Sequence, residues 1–538
     1  MRKDAARGHA RSHTPGGRSG RWEHACPPTI ERVGSDAVVS GPSGSAAVAG
    51  GSVGAVDAAV TVLRAGGSAV DAALAAAFAS AVTEPVLSSL GGGGFLLHAP
   101  VDGEPELLDF FVTVPGLGGV PRAAHVETVG VDFAKAGPAA AASVQVFHGG
   151  WGTVAVPGCL DGYLDAHRRW GRLPLGDVVA PAAALARTGV VLSAVQRRFL
   201  TLVIDLLALT PESRDLFAAA DVDGTYVNAA YADLLHALAA GEVSAQRDLG
   251  YGDVLVDAAA ARGGLLTPAD LDAYAPEARV PLTTTRHGVR VSTNPAPSAG
   301  GPIVLDALDR LGDAGSGIDW ASLAAAQSDA VDAHRRRGVV PTGTTHVTVV
   351  DADGSFAALT TSNGSQSGTV VPRWGVTLNN MLGEEDLQPG EPLPPGARLG
   401  SMMAPTMLAW PDGRRAALGT GGSERIRSAL LCVLARMIDA GDDLASAVAA
   451  PRVHVGGDGT VHVEPGLADA DLEALSALVE SRGWALDPWP TTNIYFGGVH
   501  AVHRDADGSV TAVGDARRGG AAAVLLPDGG VVRDDSDA

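Results

Sequence analysis

The chain has 538 residues, more than one ordinary core accommodates, so two domains or one large layered unit is expected. With 46% apolar and only 18% charged residues it can bury a substantial core, which excludes a disordered protein. A formal charge of −21 argues against nucleic acid or an anionic membrane as the main partner.

Residues 1 to about 40 are rich in Gly, Arg, His and Pro and are expected to form a disordered arm. Basic residues near the start (Arg2, Lys3, Arg7, Arg11) have no apolar run behind them, which points to a cytoplasmic protein. From Val53 a helix is predicted to Leu63, stopping at Gly66-Gly67. Ser68-Ala69-Val70-Asp71 is a capping-box pattern that opens an Ala-rich helix through about Val82. Glu84-Pro85 ends it, and Gly91-Gly92-Gly93-Gly94 leads into a strand. These glycines lack the Gly-Lys-Ser/Thr of a phosphate cradle, so close backbone approach is the expected reason for them. Helices are predicted from Ile303 to about Leu311, over Trp320–Arg337 and over Arg427–Ala440. Between the last two, Thr344-Thr345-His346-Val347-Thr348-Val349-Val350 is an alternating strand, turning at Asp351–Gly354 into a second strand from Ser355. The cysteines Cys26, Cys159 and Cys432 show neither metal spacing nor a disulfide framework, and His346, His454 and His500 show no ligand spacing. Asp515-Ala516-Arg517-Arg518 reads as structural ion pairing.

A hydroxyl at the start of a strand becomes a nucleophile if the chain is cut just before it, because the freed α-amine supplies the missing base. The run Gly343-Thr344-Thr345-His346 before a Val-Val-Asp-x-Asp-Gly hairpin resembles the self-cleavage site of γ-glutamyltransferases. The similarity extends over about residues 40 to 525. It includes Gly66 to Ala73, Glu84 to Phe95, Gly264 to Leu271, Pro295 to Gly301, Arg398 to Thr406, Leu418 to Ile426 and Gly514 to Ala522, in the family's order. The resemblance implies an α+β fold: an N-terminal-nucleophile (Ntn) hydrolase four-layer αββα sandwich, autoprocessed from one precursor. Both antiparallel sheets would be built jointly by a large subunit (41–343, after the arm) and a small one (344–538).

Carried over residue by residue, the resemblance makes Thr344 the nucleophile, released by cleavage after Gly343, and Ser362 its supporting hydroxyl. Gly421 and Gly422 match the oxyanion pair, where two N–H groups must face developing charge. The substrate clamp departs from the pattern. The family arginine that pairs with the glutamyl α-carboxylate is Phe111 in Asp109-Phe110-Phe111, and a phenyl ring cannot make that bidentate contact. Arg398 is the expected replacement. Of the family's Ser-Ser pair only Ser401 remains, beside Met402, while Glu384 takes the place of the aspartate that binds the amino group, Met381 replaces a polar neighbour and Asn363 keeps the family asparagine.

The resulting expectation is a γ-glutamyltransferase-like amide hydrolase or acyltransferase without cofactor or metal. Its partners would be a small amide or γ-glutamyl substrate and water or an amine or peptide acceptor. Phe111 and Met402 favour a rival with the same fold, an acylase of cephalosporin or glutaryl type acting on a less polar acyl group. A rival of another class is an uncut, non-catalytic ligand-binding protein.

Overall fold

The computed structural model describes residues 34–119, 124–132, 144–248, 250–312, 317–334, 343–384 and 393–536. Local sequence chemistry sets its helices as expected. The first helix, α1 (Val53–Arg64), is capped by Ser52, and α2 (Ala69–Thr83) opens on the Ser68/Asp71 capping box. Every residue of α2 is buried, which accounts for its alanines: small side chains let it lie close against its neighbours. The later helices are α3 (Gly300–Arg310), α4 (Trp320–His334) and α5 (Arg425–Ala435), the last continued by a π-turn at Arg436–Ala440. The predicted extension of α4 beyond His334 lies outside the described residues.

Two antiparallel sheets carry the fold. Their strands in chain order are β1 (Ala37–Gly41), β2 (Ala46–Gly50), β3 (Gly93–Ala99), β4 (Glu106–Phe110), β5 (Glu277–Arg279), β6 (Leu282–Arg286), β7 (Val289–Thr293), β8 (Thr344–Val350), β9 (Phe356–Ser362), β10 (Thr406–Ala409), β11 (Arg415–Gly421), β12 (Gly498–Arg504), β13 (Val510–Gly514), β14 (Ala521–Leu525) and β15 (Val531–Asp535). One sheet runs β15-β14-β2-β8-β9-β3-β4-β5 and the other β1-β13-β12-β11-β10-β7-β6. Each mixes strands from before and after Gly343, as the joint-subunit expectation requires. The expected arm is shorter than 40 residues, because 37–41 form β1, paired in register with β13. The rest of the arm, 1–33, lies outside the described residues.

Alternation along β8 divides the core. Val347 and Val349 belong to the apolar cluster shared with α1 and α2, whereas Val350 belongs to the cluster between the sheets and around α3 to α5. The order is therefore helices, sheet, sheet, helices, which is the four-layer αββα sandwich. Backbone approach explains the glycine run: a Cβ at Gly91 would stand 2.2 Å from the Thr377 carbonyl oxygen, and one at Gly92 2.2 Å from that of Ser362. Among the described residues no helix is long and apolar enough to cross a membrane.

Candidate active site

The hairpin β8–β9 places the central groups. Gly354 N–H donates to Asp351 O (2.9 Å), closing the turn, and the Asp351 carboxylate accepts from Ser355 N–H (3.0 Å) and from Ala69 N–H at the start of α2 (3.1 Å). The hairpin is thereby tied to a helix N-terminus, where a carboxylate is favoured. Its register sets Thr344 opposite Ser362 and His346 opposite Thr360.

Successive side chains of β8 then go to different layers. Thr345 faces the helices and donates through Oγ1 to Glu84 Oε2 (2.7 Å), while Ser80 Oγ and Ser52 Oγ donate to Glu84 Oε1. Burial raises the Glu84 pKa, and these hydroxyl donors oppose the rise. His346 faces the second sheet, its ring between Thr360 Oγ1 (2.7 Å) and Thr348 Oγ1 (2.8 Å). Burial and the neighbouring His500 hold it well below the usual histidine range, so it is a neutral core side chain. Thr344 shares that inward face and is 1% exposed, yet its Oγ1 has no hydrogen-bond partner among the described residues. A buried hydroxyl without a partner is costly, which marks the position as one with a use other than stability.

Around Thr344 the chain closes tightly. A Cβ on Gly343 would stand 1.8 Å from Gly364 O, so only glycine fits there. Ser362 Oγ donates to the Gly343 carbonyl oxygen and itself accepts from Gly364 N–H (3.1 Å). From the second sheet, β11 ends at Gly421, whose added Cβ would lie 2.1 Å from Thr344 O. Gly422 (φ 137°) and Ser423 (φ 59°) then turn the chain into α5. Gly421 therefore stands against Thr344, and Gly421 and Gly422 together make the strand-to-helix turn.

The predicted substrate-binding residues divide into two groups. Asn363 and Glu384 lie near Gly364 and Ser362, beside the Gly343–Thr344 segment. Asn363 Nδ2 donates to Thr377 Oγ1 (3.3 Å) while its Oδ1 has no partner, and Glu384 Oε1 accepts from Ser365 N–H (3.2 Å), close to Gly364. Phe111, Ser401 and Arg398 are engaged elsewhere. Phe111 is fully buried and stacked on Phe95 (5.8 Å between centroids), three strand spacings or about 14 Å along the sheet from Thr344. Ser401 Oγ accepts from Met403 N–H (3.1 Å), and its carbonyl accepts from Ser298 Oγ and from two N–H groups at the start of α3.

Arg398 does not fit the part of a replacement for the missing arginine. Its guanidinium donates to Phe111 O, to Ala275 O (2.7 Å) and to Tyr274 OH (3.3 Å), and lies 3.4 Å from Asp109 and 3.3 Å from Glu277. A fork already filled by internal acceptors has nothing left for a ligand carboxylate.

Two residues escaped the sequence reading. Glu84 is an acid at the C-terminal end of a fully buried helix whose other acid, Asp71, is spent in its N-terminal cap, a signal that was available. Arg518 was folded into the Asp515–Arg518 motif, which the structure splits. Arg517 pairs with Glu464 (2.7 Å) and Asp515 (3.3 Å), and Arg452 pairs with Asp515 (2.5 Å), so the structural pairing holds for these. Burial alone would raise the Asp515 pKa, but Arg452 and Arg517 outweigh it and hold the group at about 2. Arg518 instead points to Gly421 and Gly422. Burial and nearby Arg425 lower its pKa to about 9, which leaves it charged at neutral pH.

The family model for gamma-glutamyltranspeptidase matches residues 55–331 and 316–525. Acylase ACY 1 proenzyme from Pseudomonas sp. (strain SE83) is 31% identical over 514 residues, covering 84% of this chain and 88% of that protein. Glutathione hydrolase proenzyme from Pseudomonas aeruginosa is 26% identical over 571 residues, covering 91% and 97%. In three dimensions the chain resembles cephalosporin acylase from Bacillus halodurans, with a TM-score of 0.72 over 92% of this chain and 97% of that one. At 22% identity that likeness shows the shared fold. The chain therefore belongs to the gamma-glutamyltranspeptidase family and is an enzyme of the N-terminal-nucleophile hydrolase and acyltransferase type.

Proposed function

We propose that Thr344 is the nucleophile of an amide hydrolase or acyltransferase, released by self-cleavage of the Gly343–Thr344 bond. The observation that carries this is the pairing of an unpartnered Thr344 Oγ1 with a Ser362 hydroxyl seated on the Gly343 carbonyl oxygen. That carbonyl is the one Thr344 must attack. Ser362 donates to the oxygen on which negative charge develops, and Gly364 N–H orients the donor. A bond forms from Oγ to the carbonyl carbon, the C–N bond breaks, and the nitrogen takes the proton. Water then hydrolyses the ester and leaves subunits 1–343 and 344–538.

In turnover the freed α-amine accepts the Oγ proton as Oγ attacks the substrate amide and passes it to the departing amine. The acyl-enzyme is resolved by water or by an amine or peptide acceptor, with Gly421 and Gly422 supplying N–H groups to the oxyanion. Asn363 and Glu384 line the acyl side. Intact-mass spectrometry of the purified protein beside Thr344→Ala tests the reading. Two masses meeting at Thr344 in the wild type and one uncut mass in the variant are expected. A well-folded wild type with one uncut mass sinks the reading in favour of a non-catalytic binding protein.

A second reading is an acylase for a non-glutamyl acyl group. It is favoured by Phe111, which takes the carboxylate-binding arginine's position and is spent in the core.

A further inference from the structure

Among the described residues, Arg518 is a buried cation with hydrogen-bonding groups left open. It is 7% exposed, and neither its Nε nor its Nη1 has a hydrogen-bond acceptor among the described residues. Its path is prepared by glycines from two paired strands. A Cβ on Gly498 would collide with the Arg518 side chain at 2.6 Å, and Gly498 sits opposite Gly421 in the β11–β12 register. At the far end, Nη1 stands 2.9 Å from where a Cβ of Gly421 would be and Nη2 3.4 Å from that of Gly422. The Phe199 ring covers the guanidinium, 5.3 Å from its centre.

The two carboxylates whose charge acts on it are engaged by other groups. Glu84 is held by Thr345, Ser52 and Ser80, and Asp515 by Arg452 and Arg517. A guanidinium desolvated in this way is stabilised by an anion on its fork, and a carboxylate matches the fork's planar geometry.

We propose that Arg518 receives a carboxylate borne by the acyl group that Thr344 takes up, and so selects carboxylate-bearing acyl amides. The anchor that β4 lacks at Phe111 is thus supplied from the opposite sheet. The inference rests on Thr344 as nucleophile, through the position of Arg518 over the glycines beside it.

The test compares wild type, Arg518→Gln and Arg518→Lys on glutaryl-p-nitroanilide and pentanoyl-p-nitroanilide, which differ in a terminal carboxylate against a methyl group. Glutarate binding is measured by calorimetry on the same samples. Wild type should prefer the glutaryl substrate. Arg518→Gln should lose about 10- to 150-fold in kcat/KM on it, seated in KM, and lose glutarate binding in the same proportion. The glutaryl/pentanoyl ratio should fall toward one, with partial recovery in Arg518→Lys. An unchanged ratio overturns the proposal. So does an equal loss on both substrates seated in kcat, which would place Arg518 on the reacting oxygen instead. Intact masses report separately on Thr344. If the wild type is uncut, the nucleophile reading fails while glutarate binding still decides for or against Arg518. Thermal melts identify a variant that has not folded, and Arg518→Lys then carries the comparison.

Discussion

The two sides of Thr344 treat buried polar groups in opposite ways. On the β4 side, Arg398 is covered by Phe111 O, Ala275 O, Tyr274 OH, Asp109 and Glu277, and Asp109 is shared with Arg279 (2.6 Å). On the β11 side, Thr344 Oγ1 and Arg518 Nε and Nη1 have no hydrogen-bond partner among the described residues. A closed network stabilises, whereas buried polar atoms left open cost stability and persist where a ligand or a reaction completes them. Two buried arginines in one sandwich thus have different meanings. Arg398 fastens the end of β4 to the chain after α3, and Arg518 is free to meet an anion.

Breaking the open side should have the largest effects. Thr344→Ala should lower amide turnover on the order of 10^4-fold and leave one uncut mass, read by p-nitroanilide assay and mass spectrometry. Gly421→Ala should cost about 10^2- to 10^3-fold in kcat, because its Cβ would lie 2.1 Å from Thr344 O and one backbone must move. Ser362→Ala should slow self-cleavage about 10^2-fold in a time course of intact masses, with Ser362→Thr restoring much of the rate.

Disturbing the closed side should instead cost stability. Arg398→Met leaves Asp109 and Glu277 with Arg279 alone, and should destabilise the protein by about 3 kcal/mol in denaturant titration. A loss of glutaryl preference in that variant would merge the two sides and erase the contrast. The smallest effect is the pH slope. Burial lowers His454 and His500 from 6.5 to about 4, so between those values the unfolded chain binds more protons than the folded one. Stability should therefore be lost as pH falls from about 6.5 to 4, and His500→Gln should flatten the slope of denaturation midpoints across that range.

Much of this was legible in the chain. The Ser68/Asp71 capping box, the hairpin turn at Asp351–Gly354 and the helix after Gly422 depend on neighbours within a few residues, and each formed as expected within a few residues at its ends. The motif order likewise anticipated the layered fold and its interleaved sheets. Less legible was the arm, because β1 exists only through pairing with β13, some 470 residues away.

The sequence by itself determined the family, whose resemblance implied the αββα architecture, and the β8–β9 hairpin, because these follow from ordered motifs, turn chemistry and alternation along single segments. Only the tertiary structure decided that Arg398 is consumed and Arg518 is not. Whether a guanidinium is satisfied depends on acceptors brought in from distant segments. Arg398 finds them at Phe111 and Tyr274, more than 100 residues earlier in the chain, while the acids around Arg518 are taken by Thr345, Arg452 and Arg517.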